Sequence, residues 1–141
     1  MEAVPQEAVE ILKSTRTIAV LGMKGDGDAM APAHGVPMYL AAHGYQITPV
    51  NPRLARDGSP GAVASLGDLP AAPDLVQVFR GSDQVAKHVD ELLALKPKAV
   101  WLQLGIRNDE AAARLQEAGI RVVQDRCMYK DHHALSDAGE I

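Results

Sequence analysis

Apolar residues in this chain gather in five short runs: Thr17–Gly22 (TIAVLG), Tyr45–Val50 (YQITPV), Asp74–Phe79 (DLVQVF), Lys98–Leu104 (KAVWLQL) and Ile120–Asp125 (IRVVQD). Each is short, rich in β-branched residues and bounded by turn formers, which predicts five buried strands. Between the runs the apolar positions change to helical spacing. Val36, Tyr39, Leu40 and His43 recur up to Gly44, with Pro37 expected in the first turn. Ser82 is positioned to cap a helix that turns Val85, Val89, Leu92 and Leu93 to the sheet. Asn108, followed by Asp109 and Glu110, opens the helix EAAARLQEAG, which Gly119 stops. Ahead of the first strand, Ala8, Ile11, Leu12 and Thr15 share one face of a lead-in helix over Pro5–Ser14. The loop RLARDGSPG has a composition that excludes regular structure, and Ala62–Pro70 carries no decisive pattern. Beyond Arg126-Cys127 apolar periodicity is lost, so an irregular tail is expected.

Strands that alternate with helices pair in parallel through right-handed crossovers, leaving helices on both faces of the sheet. The expectation is one doubly wound, Rossmann-like α/β domain with a five-stranded parallel sheet in the order 3-2-1-4-5. Its core covers about residues 16–127, after a lead-in helix over 1–15 and before a tail over 128–141. In such sheets ligands sit beyond the carboxyl ends of the strands at the switch point, here expected between strands 1 and 4. The loops after Gly22, Val50, Phe79 and Leu104 should therefore line one crevice.

Composition narrows the partners. With 141 residues, 47% hydrophobic and 23% charged, the chain can build a true core. A net charge of −4 gives no overall attraction to nucleic acid or to an anionic membrane, so any phosphate contact must be local. The single cysteine, Cys127, rules out an intrachain disulfide and suits a reducing cytoplasm. No apolar run approaches the roughly 18 residues of a membrane span, and the acidic N-terminus is unlike a signal peptide, so a cytoplasmic protein is expected.

The candidate chemistry lies in the loops. Gly22, Gly25 and Gly27 follow the first strand as G-x-x-G-x-G, not as the G-x-G-x-x-G of dinucleotide enzymes. Glycines there let backbone N–H groups approach a pyrophosphate, although a ligand-free surface turn fits the same pattern. At the end of strand 2, where NAD binders carry an acid for the ribose hydroxyls, the chain reads Val50-Asn51-Pro52-Arg53. Arg53 and Arg56 offer positive charge instead, which suits a phosphorylated ribose, as in NADP or coenzyme A, unless they are solvated loop charges. No lysine follows the glycines in P-loop register, and the GDGD acids lack an EF-hand continuation. Cys127, Asp131, His132 and His133 lack structural zinc spacing, and no catalytic constellation emerges; Cys127 reads as a half-buried cysteine at a strand end.

Taken together, IAVLG, YQITPVNP, DLVQVFRGSDQV and AVWLQLGIRNDEAAARLQEAGIRVVQDRC closely resemble the small stand-alone CoA-binding proteins of bacteria and archaea, related to the CoA-binding domain of the succinyl-CoA synthetase α subunit. The resemblance runs from Arg16 to Cys127. It implies that the turn of Gly22, Met23 and Lys24 takes CoA phosphates and that Asn51, Pro52 and Arg53 border the adenosine. It further implies that Phe79 and Arg80 flank the adenine or 3′-phosphate side and that Gly105 lets the ligand pass close to the backbone.

The chain departs from the family pattern at Met23-Lys24, where a small residue and a serine are usual, and at His34-Gly35, where Tyr-Arg is typical. Lys24 can meet a phosphate as a point charge in place of the absent serine hydroxyl. The histidine-bearing second domain of the synthetase subunit has no counterpart here, which implies CoA or acyl-CoA binding without catalysis, with a protein partner or a second copy as possible associates. Two other readings stay open at this point: an NADP-linked sensor or oxidoreductase-like protein, and an interaction scaffold without a small ligand.

Overall fold

The computed structural model describes residues 3–28 and 30–141. The elements run α1 (Gln6–Ser14), β1 (Thr17–Leu21), α2 (Pro32–Ala42), β2 (Gln46–Val50), α3 (Pro52–Arg56), β3 (Leu75–Val78), α4 (Ser82–Val85), α5 (Val89–Leu95), β4 (Ala99–Gln103), α6 (Asp109–Glu117), β5 (Arg121–Arg126) and α7 (Met128–Asp137). All five strands pair in parallel in one sheet. Alternating residues of the strands feed two apolar layers. Ile18, Val20, Leu75, Trp101 and Val123 pack with α1, α2 and α7, whereas Ala19, Leu21, Val76, Val100 and Val122 pack with α5 and α6. In β1, β3 and β4, burial on both faces is what makes the strands read as continuous apolar runs.

The fold class is the expected doubly wound α/β domain, but one strand sits elsewhere. The order is β2-β1-β3-β4-β5, so β3 lies between β1 and β4 and not beyond β2. The physical reason is legible in β2. The Pro49 carbonyl accepts the Val63 N–H at 3.0 Å on the side away from β1, while the Val50 carbonyl accepts the Gly22 N–H at 2.9 Å. Pro49 therefore turns its missing donor to the outer side of the sheet, where no full strand pairs, as a proline in a sheet must. All four residues of β3 are buried, as a strand with two neighbours requires. The switch point accordingly falls between β1 and β3.

Four local expectations are corrected. Helix α2 starts at Pro32, and Pro37 is inside it. The Ala33 carbonyl, which Pro37 cannot bond, accepts the Lys24 N–H at 3.0 Å, so the loop after β1 supplies the donor that the helix lacks. Residues 52–56 form a short helix because Asn51 caps it, its side chain accepting the Arg53 N–H at 2.8 Å. Ser82 does not cap; Gly81 holds that position, and the Ser82 hydroxyl accepts the Arg107 N–H at 2.9 Å. The tail is helical over Met128–Asp137. Its buried positions, Met128, Asp131, His132 and Leu135, follow helical spacing, but two of the four are polar, so the apolar period is hidden in the sequence. Asp131 is held by Arg126 through two bonds of 2.7 and 2.9 Å, which allows its burial.

Candidate functional site

The loop after β1 is built around Gly22. Its φ is +86°, and a Cβ there would lie 2.7 Å from the Phe79 carbonyl oxygen, so only glycine lets the ends of β1 and β3 approach this closely. The Phe79 N–H donates to the Leu21 carbonyl at 2.9 Å, and the Asn51 side chain donates to the Met23 carbonyl at 2.8 Å. Asn51 thus caps α3 and pins the β1 loop at once. Met23 is 7% exposed and packs in the core, so this departure from the family pattern is an apolar anchor for the loop. Lys24 and Arg80 remain exposed on either side.

Beside this turn opens a cavity of about 700 Å³, within the range of ligand-binding clefts. The loop after β1 and the start of α2 form one wall through Lys24, Ala31 and Val36. Phe79 and Arg80 after β3, Gln103, Leu104 and Ile106 around the end of β4, and Cys127, Tyr129 and Lys130 after β5 complete it. Leu104 and Tyr129 are 55% and 40% exposed, an apolar opening on a chain that buries most large apolar side chains. Among the described residues no aspartate or glutamate lines this cavity. Among the described residues no carboxylate pairs with Lys24, Arg80 or Lys130, so their charge is available to an anion. The N-terminus of α2 has no acidic residue in its first turn, and its dipole adds to the same positive field.

The residues singled out in the sequence divide among neighbouring depressions. Lys24, Phe79 and Arg80 line the large cavity. Gly22, Asn51 and Pro52 line a smaller one with Arg80, and Asn51 and Arg53 line a third with Lys24 and the GDGD segment. Lys24 and Arg80 are the shared walls, so the three adjoin around the β1 turn. The loop after β2 does not enter the large cavity, as it was expected to. Gly105 is not among the residues that line the large cavity, although Leu104 and Ile106 on either side of it are; its φ is +86° and its N–H donates to Asp125 Oδ1 at 2.7 Å.

Sequence reasoning missed Tyr39, Gln103, Tyr129 and Lys130. Tyr129 and Lys130 were inaccessible because they begin the unexpected α7. Gln103 stands within an apolar strand, and a polar residue at such a position is itself a signal. Tyr39, in the cavity wall, bonds His132 Nδ1 at 2.8 Å; His43 stacks on Tyr39, and His43 and Tyr45 both meet the His132 ring edge-on. Burial, with help from His43 and His133, lowers the pKa of His132, and burial lifts that of the Tyr45 hydroxyl to about 12. Cys127 is half-buried against the core at the end of β5, as expected. Among the described residues no group of His, Cys, Asp and Glu is arranged to hold a metal ion, and no helix is long and apolar enough to cross a membrane.

A doubly wound parallel sheet with an apolar cavity and a cationic rim at its switch point defines a nucleotide- or cofactor-binding protein of the Rossmann-like class. Comparison with known proteins gives the family. Residues 16–133 match the CoA binding domain family, and the chain belongs to it. The uncharacterized protein YneT of Bacillus subtilis (strain 168) is 35% identical over 126 residues, covering 89% of this chain and 92% of that protein. The structure of cell-free ID.343 from Thermus thermophilus superposes with a TM-score of 0.85 at 47% identity, covering 92% of this chain and 97% of that one. A hypothetical protein from Pyrococcus horikoshii OT3 superposes with a TM-score of 0.80 at 29% identity, covering 96% and 99%. Membership in this family supports CoA binding in general.

Proposed function

We propose that this protein binds CoA or an acyl-CoA across the β1/β3 switch point and performs no chemistry on it, acting as a carrier, sensor or partner subunit. The observation that carries the reading is the large apolar cavity whose rim cations, Lys24, Arg80 and Lys130, have no carboxylate partner among the described residues. CoA is a phosphorylated nucleotide with a long, weakly polar arm, and it needs both halves of such a site. In this reading the pyrophosphate lies at the Gly22 turn between Lys24 and Arg80, the arm enters the cavity, and the adenosine 3′-phosphate lies toward Arg53. Gly105 gives the arm a close pass along the backbone. The lone Cys127 and the absence of disulfides among the described residues support a cytoplasmic setting.

Isothermal titration with CoA, dephospho-CoA and NADP tests the reading. CoA is expected to bind most tightly. Arg53→Ala should cost CoA about 1.5–3 kcal/mol and leave dephospho-CoA nearly unchanged, the signature of a charge-assisted contact to the 3′-phosphate. Tight NADP binding with no measurable CoA binding overturns the proposal. Absence of any nucleotide binding, with no adenine released from freshly purified protein, favours a scaffold.

A further inference from the structure

We infer that Gln103 is a ligand-binding residue whose side-chain amide donates to a carbonyl oxygen, of an amide or a thioester, inside the large cavity. The inference rests on the CoA reading and assigns the part of the ligand that the cavity recognises.

Gln103 is the last residue of β4, is 4% exposed and lines the cavity. Its Oε1 accepts two bonds, from the Met128 backbone N–H at 3.3 Å and from Gln77 Nε2 at 3.2 Å. A backbone N–H can only donate, so the atom it meets must be the oxygen; the orientation of the Gln103 amide is thereby settled. Its Nε2, with two N–H donors, bonds no described residue. Among the described residues the only side-chain polar atom both sealed from solvent and unpartnered is Gln77 Oε1. The Gln103 nitrogen therefore keeps an opening, and the space Gln103 lines is the cavity.

A buried amide donor facing apolar walls calls for an acceptor. The three rim cations are exposed and meet phosphate, whereas Gln103 is buried and neutral and lacks the charge that would select an anion. A neutral carbonyl is the complementary group. The pantetheine arm of CoA has two amide carbonyls, and an acyl-CoA adds a thioester carbonyl.

Gln103→Glu, studied at pH 8, keeps an oxygen for Met128 and Gln77 but replaces the cavity-facing donor with an acceptor. The variant and the wild type are titrated with CoA, acetyl-CoA and adenosine 3′,5′-bisphosphate, which lacks the arm. The expected result is bisphosphate affinity within about twofold of wild type and CoA weakened at least tenfold, about 1.4 kcal/mol. A loss for both CoA and acetyl-CoA assigns an arm amide; a loss confined to acetyl-CoA assigns the thioester. Unchanged affinity for both, or a loss matched by the bisphosphate, overturns the inference. Should the variant fail to fold, the wild-type Gln103 side-chain NH₂ resonances give the answer: CoA must shift them beyond any shift the bisphosphate causes, and equal shifts overturn the inference. Wild-type protein that does not bind CoA removes the underlying reading, whereas binding that is indifferent to Gln103→Glu removes only the role of Gln103.

Discussion

Gly22→Ala separates two costs that a glycine at a strand end avoids. The first is backbone strain, since φ at Gly22 is +86° and an L-residue in the left-handed region costs about 1–2 kcal/mol. The second is steric. The new Cβ would lie 2.7 Å from the Phe79 carbonyl oxygen and 3.1 Å from Arg80 Cδ. Arg80 can swing away, but Phe79 is held by its own N–H bond to Leu21 at 2.9 Å, so the end of β1 or β3 must move. Displacing a packed segment adds about 1–3 kcal/mol, for a total near 2–5 kcal/mol. Gly119 provides the control, with φ +87° and nothing within 4 Å of its Cβ position, so Gly119→Ala carries only the strain. Urea denaturation of the three proteins gives the free energies, and titration with CoA gives the affinities. Gly22→Ala should exceed Gly119→Ala by at least about 1 kcal/mol and should weaken CoA, whereas Gly119→Ala should not. Equal destabilisation, with CoA affinity intact in both, would refute the claim that close approach of β1 and β3 shapes the site.

Three further outcomes follow from the half-buried Asp74 and the buried His132 and Gln77. Asp74 joins the starts of β1 and β3: although burial pushes its carboxyl up, the Arg16 and Thr17 N–H groups and Lys98 outweigh this and hold it below its ordinary value of 3.8. Its stabilisation is complete above that ordinary value and is lost as pH falls through the lower folded one; Asp74→Ala should cost about 1.5–3 kcal/mol at pH 7 by denaturant unfolding, and a loss below about 0.5 kcal/mol contradicts the assignment. His132 has the opposite consequence: its folded pKa is lowered from 6.5, so the unfolded chain binds a proton first and stability falls as pH drops below about 6.5. Melting curves from pH 7.5 to 5 should show that loss, reduced in His132→Gln, and identical slopes in the two proteins would dismiss it. Gln77→Leu removes one bond to Gln103 together with the sealed, unpartnered Oε1; the two effects oppose, so stability should stay within about 1 kcal/mol of wild type by urea titration, and a loss above about 3 kcal/mol would mean that Oε1 has a partner.

Much of the candidate site was open to sequence reading because its proposed parts are local. The glycine after the first strand, the absence of an acid after the second and the cations Lys24, Arg53 and Arg80 are facts of single segments, and the resemblance to the CoA-binding family rested on contiguous strings. What misled was local as well. Asp131 and His132 masked the period of α7, because an ion pair to Arg126 and a hydrogen bond to Tyr39 let polar groups occupy buried helical positions. Asn51 was read for its place near an adenosine, and its capping of α3 and tethering of Met23 emerged only in three dimensions.

By itself the sequence determined five strands, the alternating helices, the two-sided burial of the sheet and the family, since each follows from the period of apolar residues or from motif spacing. The strand order was decided by tertiary structure, because any order that keeps parallel crossovers satisfies the same local pattern, and Pro49 alone marked β2 as an edge. The cavity was decided there too. Gln103, Cys127 and Tyr129 meet Tyr39 and Arg80 only because β3, β4 and β5 end side by side and α7 folds back over them, a convergence set by contacts between distant segments.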